Sequence, residues 1–301
     1  MSILIVGATG MVGGEIARML VSPGTQVAGL VRGGTAHPKA SQLASAGIEI
    51  VEGDLCDPQS LARAVRDRDG VICTATSLPT GADDGLRRVD REGTLALIDA
   101  AETAGVKKFV YVSYSGNIRE DCPLETAKRD CENRLLASAM ETVILRPSYF
   151  MEMWLSPVLG FDPANHSVRI YGSGKAKVSY ISAFDVAEYA AVAAKRKYPN
   201  EHTILEMGGP EALSQIEVVE IFERALRASF RREFVTQESL EDQTKSTDPL
   251  QKTFAALMLA YAKGDLVDGA ALLAREHALS LRSVVEYTGQ FLSAAKASAA
   301  G

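Results

Sequence analysis

The chain has 301 residues, 47% of them hydrophobic and 23% charged, and a formal net charge of −6. This is the composition of a soluble globular protein: no apolar stretch approaches the ~18 residues of a membrane span, and the acidic balance argues against a nucleic-acid surface, which needs a basic patch. Cys56, Cys73, Cys122 and Cys131 show neither CxxC spacing nor a nearby histidine cluster, so they read as buried free thiols with no metal site, and no positive residues precede the short N-terminal apolar run, so a cytoplasmic chain without an export signal is expected.

Taken in chain order, the apolar run 2–6 predicts a strand that meets Gly7-Ala8-Thr9-Gly10-Met11-Val12-Gly13-Gly14 and a helix over 11–21. Strand-like runs follow at 26–32, 48–52, 70–74, 107–113 and 141–146, each rich in Val, Ile, Leu or Phe. Helical spacing separates them at 39–46, 58–65, 83–104 and 123–139. Six strands joined by right-handed crossovers predict an α/β fold, a doubly wound parallel Rossmann sheet spanning residues 1–150. Beyond Pro147 the alternation loosens into the turn Tyr171-Gly172-Ser173-Gly174, a short strand 178–181, a helix 184–195 and a strand 203–207. Part of that stretch, near 178–207, is expected to return to the first domain. The charged, turn-rich stretch 231–252 divides off a mostly helical end, with helices at 254–263 and 281–291 and a fraying tail at 293–301. Residues 151–301 are thus expected to form a smaller, mostly helical substrate-binding region.

The spaced glycines carry the first chemical signal. Gly7 makes a tight turn, Gly10 lets the backbone approach a pyrophosphate, and Gly13 lets the helix pack closely on the strand, with the helix N-terminus facing the phosphates. A GxxGxxG alone is a weak pattern; its place between an N-terminal strand and a helix is what points to a dinucleotide. About twenty residues on, where an NAD site places an acid, stands Arg32, whose forked donors suit a 2′-phosphate, so NADP(H) is favoured over NAD(H). The alternative for Arg32 is an ordinary exposed strand-end charge, and Lys39 and His37 either add charge to the same site or are solvated. Asp54, followed by Leu55, either approaches the adenine amino group or caps its own loop. Ala75 and Thr76, after the fourth strand, have side chains small enough for a ribose-phosphate to lie close.

The ordered series Gly7-Ala8-Thr9-Gly10 with Gly13, Val31-Arg32, Val51-Glu52-Gly53-Asp54, Tyr111-Val112-Ser113, Lys128-Arg129-Asp130-Cys131-Glu132, Leu145-Arg146-Pro147 with Phe150, and Ala183-Phe184-Asp185-Val186-Ala187 resembles the NmrA-like family of atypical short-chain dehydrogenases/reductases. The resemblance covers most of the chain. It implies an NADP-binding domain, a smaller C-terminal substrate domain, and an active site in the cleft between them. The wider superfamily pairs a Tyr and a Lys four residues apart on one helical face with a Ser at the preceding strand end; here Ser113 and Lys128 match, but the Tyr place is Leu124. Leucine transfers no proton, which puts the usual ketone-reductase mechanism in doubt. In the family a lysine at the Lys128 place serves cofactor binding or proton donation. The bland alternative is a helix-surface lysine paired with Glu132, and Ser113 has one in a local backbone bond. The resemblance sets Pro147, Tyr149 and Phe150 against the nicotinamide, with Tyr149 either lending a hydroxyl or packing; Tyr114 is the other phenol that would stand in. Tyr171 and Lys175 match YxxxK in form, but the glycines between them make a turn.

The leading expectation is NADPH-dependent hydride transfer to a conjugated acceptor such as a quinone, which spreads the charge that it receives and needs no strong protein acid. Met151, Met153 and Trp154 either suit a flat apolar substrate or are only core. The rival is a non-catalytic NADP(H)-binding sensor or assembly protein, which Leu124 favours and which would bind a partner or a second copy through the C-terminal region. A sugar-nucleotide epimerase leans on the missing Tyr and ranks lower.

Overall fold

The structure, a computed structural model, describes residues 1–78 and 84–299, with side chains through residue 293. Six strands arise where the sequence runs apolar: β1 (Ser2–Val6), β2 (Gln26–Val31), β3 (Glu49–Glu52), β4 (Gly70–Cys73), β5 (Lys108–Val112) and β6 (Glu141–Pro147). Later come β7 (Phe161–Asp162), β8 (Ser167–Tyr171), β9 (Lys177–Val178) and β10 (His202–Met207). The main sheet has seven strands in the order β10-β6-β5-β4-β1-β2-β3, with β1 to β6 paired in parallel. This is an α/β Rossmann sheet, and its order reverses between β1 and β4. In such sheets ligands bind at the carboxyl ends of the strands beside that switch point.

Helices α1 (Met11–Leu20), α2 (Ala40–Ser45), α3 (Pro58–Ala64), α4 (Thr94–Thr103) and α5 (Pro123–Leu136) make the crossovers. Their starts are chemically marked: Asp57 accepts the Gln59 N–H ahead of Pro58, and Pro123 opens α5. One contiguous core buries Leu4, Val71, Phe109 and Ile144 from the strands against Ile98 and Leu135 from the helices. A parallel sheet covered on both faces needs such near-continuous apolar strands.

By its contacts the chain divides into two compact units: residues 1–114, 121–146 and 186–205, and residues 115–120, 147–185 and 206–301. The second unit holds α6 (Met151–Trp154), the start of α7 (Ala183–Lys195), β11 (Leu213–Ser214), α8 (Gln215–Leu226), β12 (Arg231–Val235), α9 (Gln237–Gln243), α10 (Pro249–Lys263), α11 (Ala270–Glu276) and α12 (Val284–Ala299). Its strands form a three-stranded sheet, β12-β8-β7, and a β11-β9 pair. A capping box, in which Ser214 and Glu217 bond each other's backbone N–H, starts α8.

Several expected elements are corrected. The helix expected over 83–104 is a π-helix, Leu86–Gly93, running into α4, and its expected first residue, Asp83, lies outside the described residues. The strand expected over 178–181 shortens to β9, because Ser179 and Ile181 bond the isolated segments at Asp265 and Tyr149 instead of a strand. The strand near 203–207 adds a seventh member to the main sheet. The stretch 231–252 contains β12, whose charged residues are tolerated because it is an exposed edge strand, and α9. Over the tail expected to fray from 293, α12 continues through Ala299, while residues 300–301 lie outside the described residues. Cys56 is exposed, unlike the other three cysteines.

Candidate functional site

The glycine-rich turn joins β1 to α1 with the geometry its sequence calls for. Gly7 takes φ +96°, and the Gly10 N–H donates to the Gly7 carbonyl at 2.9 Å. A Cβ on Gly13 would collide with the Gly7 carbonyl, and one on Gly7 with the Thr74 hydroxyl. The glycines at 7 and 13 are therefore required by close backbone approach. Gly10, the exposed N-cap of α1, has no side chain to occupy the first N–H groups of the helix. Those of Met11, Val12 and Gly13 stand in the first turn, at the positive end of the helix dipole, where an anion is favoured. Ala8 is buried and Thr9 lends its carbonyl to Lys39, whose ammonium donates to it at 2.7 Å. Lys39 is thus moored to the glycine turn, and Arg32 stands exposed one residue beyond the end of β2.

The Asp54 Oδ1 accepts the Cys56 N–H at 2.8 Å, a cap of its own loop, in which Leu55 is buried. After β4, Thr74 lies against Gly7 and Gly13, Ala75 is half-buried and Thr76 exposed. Ser77 then donates both its N–H, at 2.8 Å, and its hydroxyl, at 2.6 Å, to Oδ2 of Asp90. Asp90 is 1% exposed and lies within the π-helix, a form that recurs at functional sites. Its Oδ1 is buried and, among the described residues, has no hydrogen-bond partner.

On α5 the alternative reading of Lys128, a surface pair with Glu132, does not form. Lys128 is 6% exposed, donates to the Val112 carbonyl at 3.2 Å and stands 4.9 Å from the centre of the Tyr111 ring. Among the described residues no carboxylate pairs with it. Glu132, one turn on, instead collects the Ser113 hydroxyl, the Arg129 guanidinium at 2.7 Å and both Nε and Nη2 of Arg146. Burial raises the Glu132 carboxyl, but the bonds from Arg146 and Ser113 and the charge of Arg129 outweigh it and hold it below the ordinary range. With its hydrogen on Glu132, Ser113 offers a ligand only lone pairs.

The phenols divide. Leu124 occupies the Tyr place and is buried. Tyr114 holds a buried hydroxyl with no partner among the described residues, under the Arg129 guanidinium 4.7 Å from its ring. Burial, helped by Cys122, pushes that phenol far above its usual range, so it stays neutral. Tyr149 lies in the second unit with Pro147 and Phe150; its hydroxyl donates to the Leu257 carbonyl at 3.4 Å and its ring packs on Trp154 and Tyr261, at 4.6 and 5.0 Å. Gly172 and Gly174 both take positive φ, so Tyr171 and Lys175 flank a turn.

The first unit therefore gathers Gly7 to Gly13, Thr74 to Ser77, Ser113 and Lys128 at the carboxyl ends of β1, β4 and β5, as a dinucleotide-binding α/β protein would. Sequence reasoning missed Asp90 and passed over Glu132 as more than a surface partner. A signal exists for Asp90 and Lys128: Leu86, Asp90, Gly93 and Leu97, and likewise Leu124, Lys128, Cys131 and Leu135, follow 4-3-4 spacing, so each charge sits on an apolar stripe. Among the described residues no group of three or more His, Cys, Asp or Glu is placed to hold a metal, and no helix is long and apolar enough to cross a membrane.

Residues 1–278 match the model of the NmrA-like family, and the chain belongs to that family. It is similar to the photosystem II assembly factor Ycf39 of Synechocystis sp., 32% identical over 235 residues that cover 74% of this chain and 67% of that protein. It is likewise 32% identical over 238 residues to the NAD(P)H azoreductase of Xenophilus azovorans, covering 78% of each. Among solved structures it shares its fold with the NADPH-dependent quinone oxidoreductase QOR2 of Escherichia coli in complex with NADPH, with a TM-score of 0.77 and 20% identity over 96% of this chain and 99% of that one.

Proposed function

We propose that the protein is an NADP(H)-dependent reductase of a conjugated small-molecule acceptor such as a quinone. The observation that carries this reading is Lys128, a buried ammonium that spends one N–H on a main-chain carbonyl and has no ion pair among the described residues. Burying a charge without a partner is costly, so a fold that retains one reserves it for a ligand. The names of two relatives, an NAD(P)H azoreductase and an NADPH-dependent quinone oxidoreductase, agree with it.

In this reading the N–H groups of Met11, Val12 and Gly13 hold the cofactor's pyrophosphate, and Arg32 with Lys39 hold its 2′-phosphate. Thr74, Ala75 and Thr76 leave room for a ribose, and Leu55 backs the loop on which Asp54 lies. NADPH, when bound, supplies hydride to the acceptor. Lys128 directs its two remaining N–H groups at ribose hydroxyls and at the negative charge that develops on the acceptor. Ser113, fixed by Glu132, accepts rather than donates, and Leu124 offers no proton, so the acceptor is one that delocalises charge and takes its proton from water. The test is NADPH oxidation with a panel of quinones: turnover that Lys128→Met abolishes supports the reading, and turnover indifferent to that substitution refutes it.

A second reading has its own support. The buried Leu124 at the Tyr place and the likeness to Ycf39 favour an NADP(H)-binding assembly factor that binds a protein partner. It predicts tight NADPH binding with no acceptor reduced.

A further inference from the structure

Two buried charges of opposite sign stand at the ends of adjacent strands without touching. Lys128 lies over Tyr111, which pairs in register with Cys73 across β5 and β4. Asp90 holds Ser77, four residues beyond Cys73, and its main-chain carbonyl accepts the thiol of Cys131 at 3.5 Å. Cys131 is three residues after Lys128 and so shares its helix face. Both charges act on the same thiol: burial pushes Cys73 up to about 11, against the lowering effect of Lys128 and with the raising effect of Asp90.

We propose that Asp90 is the positioning counter-charge of Lys128, meeting it across a bridging water or ligand hydroxyl while fixing the loop after β4. This role rests on Lys128 being the working group of the proposed reductase. Three observations select Asp90. Its Oδ1 is buried and, among the described residues, unpartnered, whereas both oxygens of Glu132, an acid one turn from Lys128 on the same helix, are taken by Ser113, Arg129 and Arg146. A lone carboxylate oxygen in a nearly sealed place calls for a donor, and an ammonium with two N–H groups to give calls for an acceptor. Among the described residues the remaining titratable groups set against Lys128 are thiols and a phenol, Cys73 from β4, Cys131 from its own helix and Tyr111 from β5. Burial pushes all three up, so they stay neutral and balance no charge.

The experiment follows the lysine itself in the cofactor-free full-length chain, by carbon-13 NMR titration of lysine side chains, with Lys128 assigned by its loss in Lys128→Met. In Asp90→Asn, which keeps the acceptor for Ser77 and removes the charge, the Lys128 midpoint falls by on the order of one pH unit. A folded Asp90→Asn with an unmoved midpoint overturns the proposal. Ser77→Ala covers the case of an unfolded Asn variant: it strips a donor from Asp90, leaves more of its charge to Lys128 and raises the midpoint, whereas no change or a fall overturns the assignment. The titration needs no turnover, so failure of the reductase reading shows separately, as a wild-type protein that oxidises no NADPH.

Discussion

In the second unit, the Tyr180 and Tyr261 hydroxyls bond each other, that of Tyr171 donates to the Leu159 carbonyl and that of Tyr149 to the Leu257 carbonyl. At the ends of β4 and β5 in the first unit, Lys128 keeps two N–H groups in hand, and Asp90 Oδ1 and the Tyr114 hydroxyl are buried without a partner among the described residues. Both regions bury polar groups out of an apolar surrounding. Buried polar groups are as a rule hydrogen-bonded, so the partnered phenols are those of a packed core, while Lys128 and Asp90 at the strand ends are the groups on which the proposed function rests.

Substitutions sharpen this contrast, and the largest effect belongs to a charge the fold has fully satisfied. Glu132→Gln leaves Arg146 and Arg129 short of a carboxylate and is expected to cost about 3–5 kcal/mol in urea unfolding. Lys128→Met, one turn away, is expected to leave stability unchanged or raised, because an apolar chain replaces an unpaired cation, while acceptor-dependent turnover falls by about 100-fold or more. Equal destabilisation by the two would erase the distinction. Next in size, Arg32→Ala and Lys39→Ala each weaken NADPH binding by about tenfold and leave NADH binding alone, as a fluorescence titration reads.

Among the phenols, Tyr261→Phe strands the Tyr180 hydroxyl and costs about 1–3 kcal/mol, whereas Tyr114→Phe, which removes a hydroxyl that has no partner among the described residues, is neutral or slightly stabilising in thermal melts. If Tyr114→Phe instead lowers turnover, that phenol stands in for the one absent at Leu124. The smallest effect is on pH dependence. The Glu132 carboxyl is depressed in the folded state, so its contribution to stability is complete above its unfolded value of about 4.3 and is lost as pH falls through the folded value. Acid unfolding should therefore be less steep in Glu132→Gln than in the parent.

The six parallel strands and the glycine turn are legible in the sequence because strands buried on both faces read as unbroken apolar runs, and because only glycine fits where Gly13 meets the Gly7 carbonyl. Lys128 is legible as a site residue on an apolar stripe, but its lack of an acid partner is not: the i+4 acid at Glu132 looks like that partner until Arg146, fourteen residues on, takes that acid. The π-helix is hidden because its hydrogen-bond shift leaves the composition of an ordinary helix, so only the apolar stripe around Asp90 marks that residue. In the second unit β7, β9 and β11 are two residues long, and β12 opens Arg231-Arg232-Glu233, too short or too charged for periodicity to register.

The most direct test of the central claim, that the fold keeps Lys128 for a bound nucleotide, is a fluorescence titration of the parent protein and of Lys128→Met with NADPH. The account predicts saturable binding by the parent and binding weakened by about tenfold or more in a variant that remains folded. Equal affinities in the two proteins, or a parent that does not bind NADPH, would contradict it.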